Sequence, residues 1–314
     1  MSVASVLFAA LRPAAASGDG SVRLIFFGHC NPDWKAALGP ASPVWVDFPG
    51  IAEVAMVSNW PRLLQLPRRP GLTDVIVPLY ENDLVWAPRI GPRLRPSRKA
   101  AAILGDKRRF AEYVAARGLG HYCPPTFLDG VPTTYPCVAK PRHGMNGGGC
   151  SIVASPTDAN RLRRRWPAPV IQALAPGASD YVTHAIARGG RLLWHCSYRY
   201  EIGDRSPIRS SDNHKRIDRV STPAMVLEAL EALLHPLAYD GPLNADYKLG
   251  ADGAVSLFEI NPRFGGSLMR PEYLPDLRAA LQCLLANLQS GRRAAPSHAS
   301  LMGSRPFRRG TTPG

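Results

Sequence analysis

The sequence predicts an α/β protein in which an N-terminal domain built on a parallel sheet precedes a larger α+β region. Two observations lead to this fold class. Short, almost uninterrupted apolar runs separated by turns fill the first part of the chain, as in a sheet that is buried on both faces. The rest alternates glycine-marked hairpin turns with hydrophobic residues at helical spacing. With 314 residues and 45% hydrophobic content, the chain is sufficient for one large domain or two to three small ones.

Four apolar runs in the N-terminal part are predicted strands of the parallel sheet. They are VRLIFF (22–27), VWVDF (44–48), VAMVS (54–58) and DVIVPLY (74–80). The stretch 88–98 is rich in proline, glycine and arginine and follows neither periodicity, so we expect a linker there.

The segment GDKRRFAEYVAARG predicts a helix with defined ends. Asp106 is of the residue type that caps a helix N-terminus, and Gly118 is of the type that ends a helix. Phe110, Tyr113 and Val114 recur at helical spacing, so we expect them on one face.

A glycine-rich loop between two strands follows this helix. YPCVAK (135–140) and CSIVA (150–154) are the predicted strands, and VIQALA (170–175) is a further one. Ser155 and Pro156 should begin a short helix, because serine caps a helix well and proline suits its first turn.

Gly189-Gly190 predicts a two-residue turn that joins DYVTHAIA to RLLWHCSYR. Facing residues in such a hairpin lie at equal sequence distances from the turn. This rule pairs His184 with His195 and Asp180 with Arg199. We interpret the two histidines as sheet residues, not as ligands.

The C-terminal part is predicted to contain two helices. A polar, irregular segment at 201–220 precedes an amphipathic helix at 221–239. A closing helix at about 275–290 should end at Gly291, and the basic stretch 291–314 is expected to be a disordered tail.

A second hairpin, in NADYKLGADGAVSLFEIN (244–261), brings acidic residues together. Asp252-Gly253 is a strong signal for a two-residue turn. Counting outward from that turn places Asp246 opposite Glu259 and Asn244 opposite Asn261, with side chains on the same side of the ribbon. The other side would form a core face of Leu243, Ala245, Tyr247, Leu249, Phe258 and Ile260.

Asp246, Glu259 and Asn261 thus form a predicted cluster of oxygen ligands. Two facing carboxylates repel each other unless a cation lies between them. Mg²⁺ favours one or two carboxylates together with substrate phosphates. We therefore predict a Mg²⁺ or Mn²⁺ site here. The alternative is a solvated polar face with a chance pair of acids.

The loop in AKPRHGMNGGGCSIV (139–153) has the composition of a phosphate-binding loop. Lys140 stands at the end of a strand, and the glycines let backbone N–H groups converge on an anion. Lys107 at the start of a helix opposes the helix dipole, which a nearby anionic ligand would offset. Taken singly, each feature also fits a structural glycine loop or a solvated lysine.

Four motifs in order, GDK, KPRHGMNGGG, VIQALAPGASDY and NADY…FEINPRFGGS, resemble those of the ATP-grasp superfamily. The likeness is greatest to its carboxylate–amine ligases and to the synthetase domains of carbamoyl-phosphate synthetase. It covers residues 99 to about 285. It implies a pre-ATP-grasp domain (1–98), two ATP-grasp lobes (99–170 and 171–290) and the tail (291–314).

The resemblance implies which residues bind ATP. The phosphates would contact two lysines and the loop glycines, namely Lys107, Lys140, Gly147, Gly148 and Gly149. Adenine would contact Gln172 and the backbone of Leu174, and Asp180 would either reach the ribose or form a structural ion pair with Arg199. Gln172 stands near a position at which the family often has a glutamate.

The resemblance also implies the reaction and its catalytic residues, Lys140 and Arg263. ATP would convert a carboxylate into an acyl phosphate, and an amine would then displace phosphate to give an amide. Magnesium, held by the hairpin cluster, and the basic side chains would offset the negative charge. The expected partners are a small-molecule carboxylate and a small-molecule amine. Arg209, Lys215 and Arg216 would either grip a substrate carboxylate or form a solvated basic loop.

Two other functions stay open. The same fold could transfer a phosphoryl group to an acceptor that is not a carboxylate. The net charge of +14 also suits polyanionic partners, so the chain could be a nucleic-acid-associated protein with a regulatory ATP site, binding through its tail. A homodimer is compatible with the sequence.

Composition also bears on the compartment. The six cysteines show no metal-binding spacing and are expected to be reduced thiols. No apolar run approaches the roughly 18 residues that span a bilayer. The sequence therefore predicts a cytoplasmic protein without a membrane partner.

Overall fold

The computed structural model describes residues 8–11, 21–29, 31–86, 94–144, 148–166, 168–203, 206–209 and 213–293. The strands in these ranges form three sheets of four, five and four strands. Gly147, most of the predicted linker and residues 294–314 lie outside the described residues. Of the helices that the structure describes, none is long and apolar enough to span a bilayer.

The first sheet lies in the N-terminal region and has the order β1-β3-β2-β4. Its strands are β1 (Phe8–Leu11), β2 (Val22–Phe27), β3 (Ile51–Val57) and β4 (Thr73–Pro78). The predicted parallel sheet is confirmed, because β2 pairs in parallel with both β3 and β4, while β1 adds an antiparallel edge. Three short helices accompany it: α1 (Pro32–Leu38), α2 (Trp60–Leu64) and α3 (Glu81–Trp86).

The predicted strand at 44–48 is wrong. Pro43–Trp45 forms a 3-10 helical turn capped by the Ser42 hydroxyl. The Trp45 indole packs against Phe26 and donates its N–H to the carbonyl oxygens of Leu38 and Gly39. This run is apolar because Val44, Trp45 and Phe48 are buried in the hydrophobic core. A short apolar run does not distinguish a buried turn from a strand.

The second sheet is antiparallel and has the order β5-β8-β6-β7. The elements of this region are α4 (Arg98–Leu104), α5 (Lys107–Ala116), β5 (Thr126–Phe127), β6 (Cys137–Lys140), β7 (Ser151–Val153), α6 (Pro156–Arg165) and β8 (Val170–Ala173). The predicted ends of α5 are confirmed. Asp106 accepts the backbone N–H groups of Arg108 and Arg109, and Gly118 takes a left-handed φ of 67° just past the helix.

The third sheet is antiparallel and has the order β11-β10-β9-β12-β13. Its region comprises β9 (Ser179–Arg188), β10 (Arg191–Ile202), β11 (His214–Val220), α7 (Ala224–Leu234), β12 (Gly241–Leu249), β13 (Val255–Asn261) and α8 (Leu274–Arg293). The predicted irregular segment at 201–220 is wrong where β11 forms, since charged residues are common on an edge strand. The closing helix also continues through Gly291 to Arg293.

The first predicted hairpin has the right turn and the wrong register. Gly189 and Gly190 form the turn, with positive φ at both. A shift between Leu192 and Trp194 then moves every later pair by one residue. The pairs beyond it are His195 with Ala185, Cys196 with His184, Arg199 with Tyr181 and Tyr200 with Asp180. The predicted facing of His184 with His195 and of Asp180 with Arg199 is therefore wrong.

The second predicted hairpin has the wrong turn and the right register at its acids. Leu249 pairs with Val255, so the connection is the five-residue loop 250–254 and not a two-residue turn at Asp252-Gly253. A bulge at Phe258 then adds one residue to β13. Beyond the bulge Asp246 faces Glu259 and Asn244 faces Asn261, as predicted.

The apolar side of this second hairpin is part of a large buried core. Helices α4, α5 and α7 pack against it, for example through Phe110 and Leu230. Leu243, Ala245, Tyr247 and Ile260 are fully buried there as predicted, but Phe258 lines a pocket on the acidic side instead. The core thus fixes the strands that carry the acids.

Candidate active site

The side chains of Asp246, Glu259 and Asn261 meet on the open side of the β12–β13 hairpin. The Asn261 amide donates to Asp246 Oδ2 at 3.2 Å and to Glu259 Oε1 at 3.3 Å. No group of three or more His, Cys, Asp or Glu residues suited to a metal occurs in the described part of the chain. The donor set here is two carboxylates and an amide. An amide turned by half a rotation presents its oxygen, so the set fits a Mg²⁺ ion that takes further oxygens from phosphates.

Each acid of this pair has a basic partner from another element. Lys107, at the start of α5, places its Nζ 2.9 Å from Glu259 Oε2 and donates to the Gly144 carbonyl at 3.0 Å. Arg209, between β10 and β11, pairs with Asp246 Oδ1. Two cations thus neutralise the facing carboxylates.

The two carboxyl groups differ in pKa. Burial raises the pKa of Glu259, but the charges of Lys107 and Lys140 outweigh burial and hold it below its usual value. Burial raises the pKa of Asp246 above its usual value, although Arg209 opposes this. The Glu259 carboxylate is therefore the more firmly ionised of the pair.

Lys140 ends β6 and points into the pocket beside Glu259. Its Nζ donates to Gln172 Oε1 at 2.6 Å and lies 4.9 Å from the ring centroid of Phe258. Gln172 in turn donates to Thr126 Oγ1 at 2.9 Å, which fixes the orientation of the amide. Burial lowers the pKa of Lys140, with the charge of Glu259 opposing. Because its hydrogen-bond partner is neutral, the ammonium charge is available to an anionic ligand.

A pocket of about 100 Å³ lies between the second and third sheets. Most of the residues predicted to bind nucleotide line it, namely Lys107, Lys140, Gly148, Gln172, Leu174 and Asp180, together with Asp246 and Glu259. Asp180 forms a 3.0 Å ion pair with Lys248, which also lines the pocket. Gly149 has a φ of 73° and packs by Pro141 outside the lining, and Gly147 is not among the described residues.

Arg263 lies on the other side of the hairpin end from Lys140. It is 9% exposed, its Nε lies 2.8 Å from Glu81 Oε1 on α3, and its Nη1 donates to the Phe264 carbonyl at 2.9 Å. Its Nη1 also lies 3.5 Å from Asn244 Oδ1. The arginine is therefore held in place by the N-terminal region and by its own loop.

Two larger cavities flank the hairpin end, and Glu259 and Asn261 line both. One, of about 300 Å³, has basic walls: Arg209, His214, Arg263 and Arg270, with Tyr200 and Trp34 beside them. The other, of about 630 Å³, has acidic walls from α3: Glu81 and Asp83, with Tyr80, His29 and His143 nearby. Burial and the charge of Glu81 raise the pKa of Asp83 to about 6.

Sequence reasoning missed several residues of these cavities. Glu81, Asp83, Tyr200 and Arg270 come from distant elements and stand in no motif, so only the tertiary fold identifies them. Of the three basic residues expected to grip a carboxylate, Arg209 lines the 300 Å³ cavity and the lysine-bearing pocket, whereas Arg216 pairs with Asp218 on β11.

Solved structures share this fold. The chain is similar to an L-amino acid ligase from Bacillus licheniformis, with a TM-score of 0.59, 15% identity and coverage of 85% of this chain and 75% of the other. It is similar to VanG D-Ala:D-Ser ligase from Enterococcus faecalis, with a TM-score of 0.59, 13% identity and coverage of 87% and 99%. It is also similar to a D-alanine–D-alanine ligase from Bacillus anthracis complexed with ATP, with a TM-score of 0.52, 14% identity and coverage of 88% of this chain and 99% of the other.

These neighbours are ATP-grasp ligases, so the chain has the ATP-grasp fold that its motifs resemble. At such low identities the likeness shows the fold alone. No family model matches the sequence, and no curated protein matches it either.

Proposed function

We propose that this protein is an ATP-dependent carboxylate–amine ligase that forms an amide or peptide bond through an acyl phosphate. One observation carries the proposal. The facing pair Asp246 and Glu259 lines a lysine-bearing pocket on one side and a basic cavity on the other. If the phosphates of ATP bound a metal ion at this pair, the terminal phosphate would lie beside a carboxylic acid substrate in the basic cavity. The ATP-bound neighbour supports ATP as the nucleotide.

The nucleotide would occupy the pocket with Lys107 and Lys140, and Asp246, Glu259 and Asn261 would hold Mg²⁺. Bound there, magnesium would neutralise the phosphates and orient the terminal one. Lys107 would move from Glu259 to a phosphate oxygen, since a metal on the carboxylate replaces the lysine as its counter-charge. Lys140, whose partner is the neutral Gln172, needs no such exchange.

The acid would bind in the 300 Å³ cavity with its carboxylate between Asn261 and Arg263. A carboxylate oxygen attacks the terminal phosphorus, the bond to the bridging oxygen breaks, and ADP leaves. Arg263 and Lys140 would stabilise the charge on the transferring group from opposite sides. Because Glu81 and the Phe264 carbonyl hold Arg263, its guanidinium is positioned before substrate arrives.

The amine would bind in the 630 Å³ cavity, where Glu81 and Asp83 attract a cationic group. The bound ammonium first loses a proton to solvent; its neutral nitrogen then attacks the acyl carbon, phosphate leaves, and the nitrogen loses a second proton to form the amide. The names of the neighbouring ligases favour amino acids as acid and amine. We also propose the division into residues 1–98, 99–170 and 171–290, and a cytoplasmic location.

The proposal is tested by supplying hydroxylamine in place of the unknown amine. Hydroxylamine attacks an acyl phosphate and gives a hydroxamate, so a panel of carboxylic acids can be screened for hydroxamate and ADP together. We expect both products with at least one acid, and neither with Glu259→Gln or Lys140→Met. Lys99→Met is the matched control, since Lys99 is exposed on α4.

Two other outcomes would contradict the ligase function. ADP release with a stable phosphorylated product and no hydroxamate indicates a phosphotransferase. ATP binding without turnover, together with salt-dependent nucleic-acid binding, indicates a regulatory ATP site.

A further inference from the structure

The basic cavity holds more arginine side chains than one reacting carboxylate needs. Arg263 stands at the hairpin end, where the carboxylate would be activated. Two more arginines, Arg209 and Arg270, line the same cavity together with Tyr200.

Each of these two arginines has a buried donor that no group among the described residues accepts. The Arg209 guanidinium lies 4.3 Å from the Tyr200 ring centroid and uses Nη2 for Asp246, while its buried Nη1 has no hydrogen-bond partner within the described ranges. Arg270 uses Nη2 for Glu272 at 3.3 Å, while its buried Nε finds no acceptor in the part of the chain that the structure describes. A buried donor without an acceptor is unfavourable, and on a charged group it favours an anionic ligand.

Three acids also line the cavity, but none of them accepts a hydrogen bond from Arg209 Nη1 or Arg270 Nε. Glu259 has Lys107 as its partner, and Asp246 uses only one nitrogen of Arg209. Asp33, at the start of α1, is the remaining acid of the wall. A volume of about 300 Å³ lies at the lower end for ligand pockets, so one small molecule can extend from Arg263 to Arg270.

We propose that the acid substrate carries a second anionic group, a carboxylate or a phosphate, which binds Arg209 Nη1 and Arg270 Nε beside the Tyr200 ring. This inference rests on the proposed ligase function, in which the first carboxylate binds by Arg263 and is activated. The second group does not react. It selects the substrate and fixes the distance between the reacting carboxylate and the far wall.

The test is calorimetric binding of matched acids to the full chain with Mg²⁺ and a non-hydrolysable ATP analogue. The probes are dicarboxylates from succinate to adipate, each compared with its monoamide, and 3-phosphonopropionate compared with succinate. A dicarboxylate and its monoamide have nearly the same shape and differ in one charge. We expect the best dianion to bind about 10- to 100-fold more tightly than its neutral-ended partner. The phosphonate distinguishes a phosphate site from a carboxylate site.

Arg270→Met and Arg209→Met should each reduce this preference at least tenfold, and Arg270→Lys should retain part of it. Arg164→Met, at an exposed site on α6, is the matched control and should leave the preference unchanged. Circular dichroism and thermal melting establish that each variant is folded. If a Met variant does not fold, Arg270→Lys and Arg270→Gln supply the comparison.

Two results would overturn the inference: no dianion binds more tightly than its partner, or the preference persists in the Arg270 variants. Failure of the ligase function looks different. Hydroxamate formed from monocarboxylates without any dianion preference would leave the ligase and remove the second anion site. Arg270-dependent dianion binding without hydroxamate from any acid would keep the site and contradict the ligase.

Discussion

Replacing Lys140 with methionine separates nucleotide binding from folding. Methionine keeps most of the alkyl stem that passes Phe258 and removes only the ammonium group. The lost contact with a phosphate is a charge-assisted hydrogen bond, worth about 1.5–3 kcal/mol. At about 1.4 kcal/mol per tenfold change, the Kd for the ATP analogue should rise about 10- to 100-fold.

The same change should have little effect on the ligand-free protein. Burial lowers the pKa of Lys140, which means that the charged form is disfavoured in the folded state. Removing the ammonium group should therefore increase the stability of the fold. Against this, Gln172 Oε1 loses its donor, which costs about 1–3 kcal/mol for a buried acceptor. The two contributions oppose each other, and we expect the free energy of unfolding to change by no more than about 1 kcal/mol.

Calorimetry with the ATP analogue and thermal melting measure the two quantities, with Lys99→Met as control. A folded Lys140→Met protein with unchanged nucleotide affinity would refute the placement of phosphates beside Lys140. The pH dependence gives a second check. Between the lowered pKa of the folded state and the ordinary 10.5, the unfolded chain binds more protons, so wild-type stability should rise with pH and the variant should lack this rise.

Three further changes have defined outcomes. In Gly265→Ala the new Cβ would lie 2.4 Å from His184 Cε1, so we expect lower stability by melting and a loss of turnover. Burial, with the charges of Arg263 and Arg209, lowers the pKa of His184 to about 3. From pH 6.5 down to about 3, only the unfolded state gains this proton. In denaturant titrations the wild type should therefore lose about 1.4 kcal/mol of unfolding free energy per pH unit relative to His184→Asn. Arg278→Met removes hydrogen bonds from α8 to three N-terminal carbonyl groups, and denaturation should show a loss of about 1–3 kcal/mol.

The sequence was sufficient to predict the facing of Asp246 with Glu259, but partly for the wrong reason. The Asp252-Gly253 signal predicts a two-residue turn, whereas the connection is the longer loop 250–254. The bulge at Phe258 compensates for that difference before the acids are reached. In the β9–β10 hairpin the turn was right, and an uncompensated shift near Leu192 moved His184 away from His195. Bulges depend on packing, so residue counting from a turn does not reveal them.

Residues contributed by distant elements were beyond prediction for a different reason. The motif loop contains Arg263, but its partner Glu81 precedes it by most of the chain and stands in an ordinary helix. Arg270 likewise stands outside any recognisable pattern and becomes notable only because its buried Nε has no acceptor among the described residues. Charge complementarity between cavities is a property of the tertiary fold, whereas local spacing is a property of the sequence.

The most direct test of the metal site measures how much Mn²⁺ tightens binding of the ATP analogue, in wild type and in Glu259→Gln. Removing the carboxylate removes repulsion toward the phosphates, so metal-free binding should stay equal or become tighter. The metal should tighten binding at least tenfold in wild type and hardly at all in the variant. An equal effect of Mn²⁺ on both proteins would contradict a metal site between Asp246 and Glu259, and with it the route to an acyl phosphate.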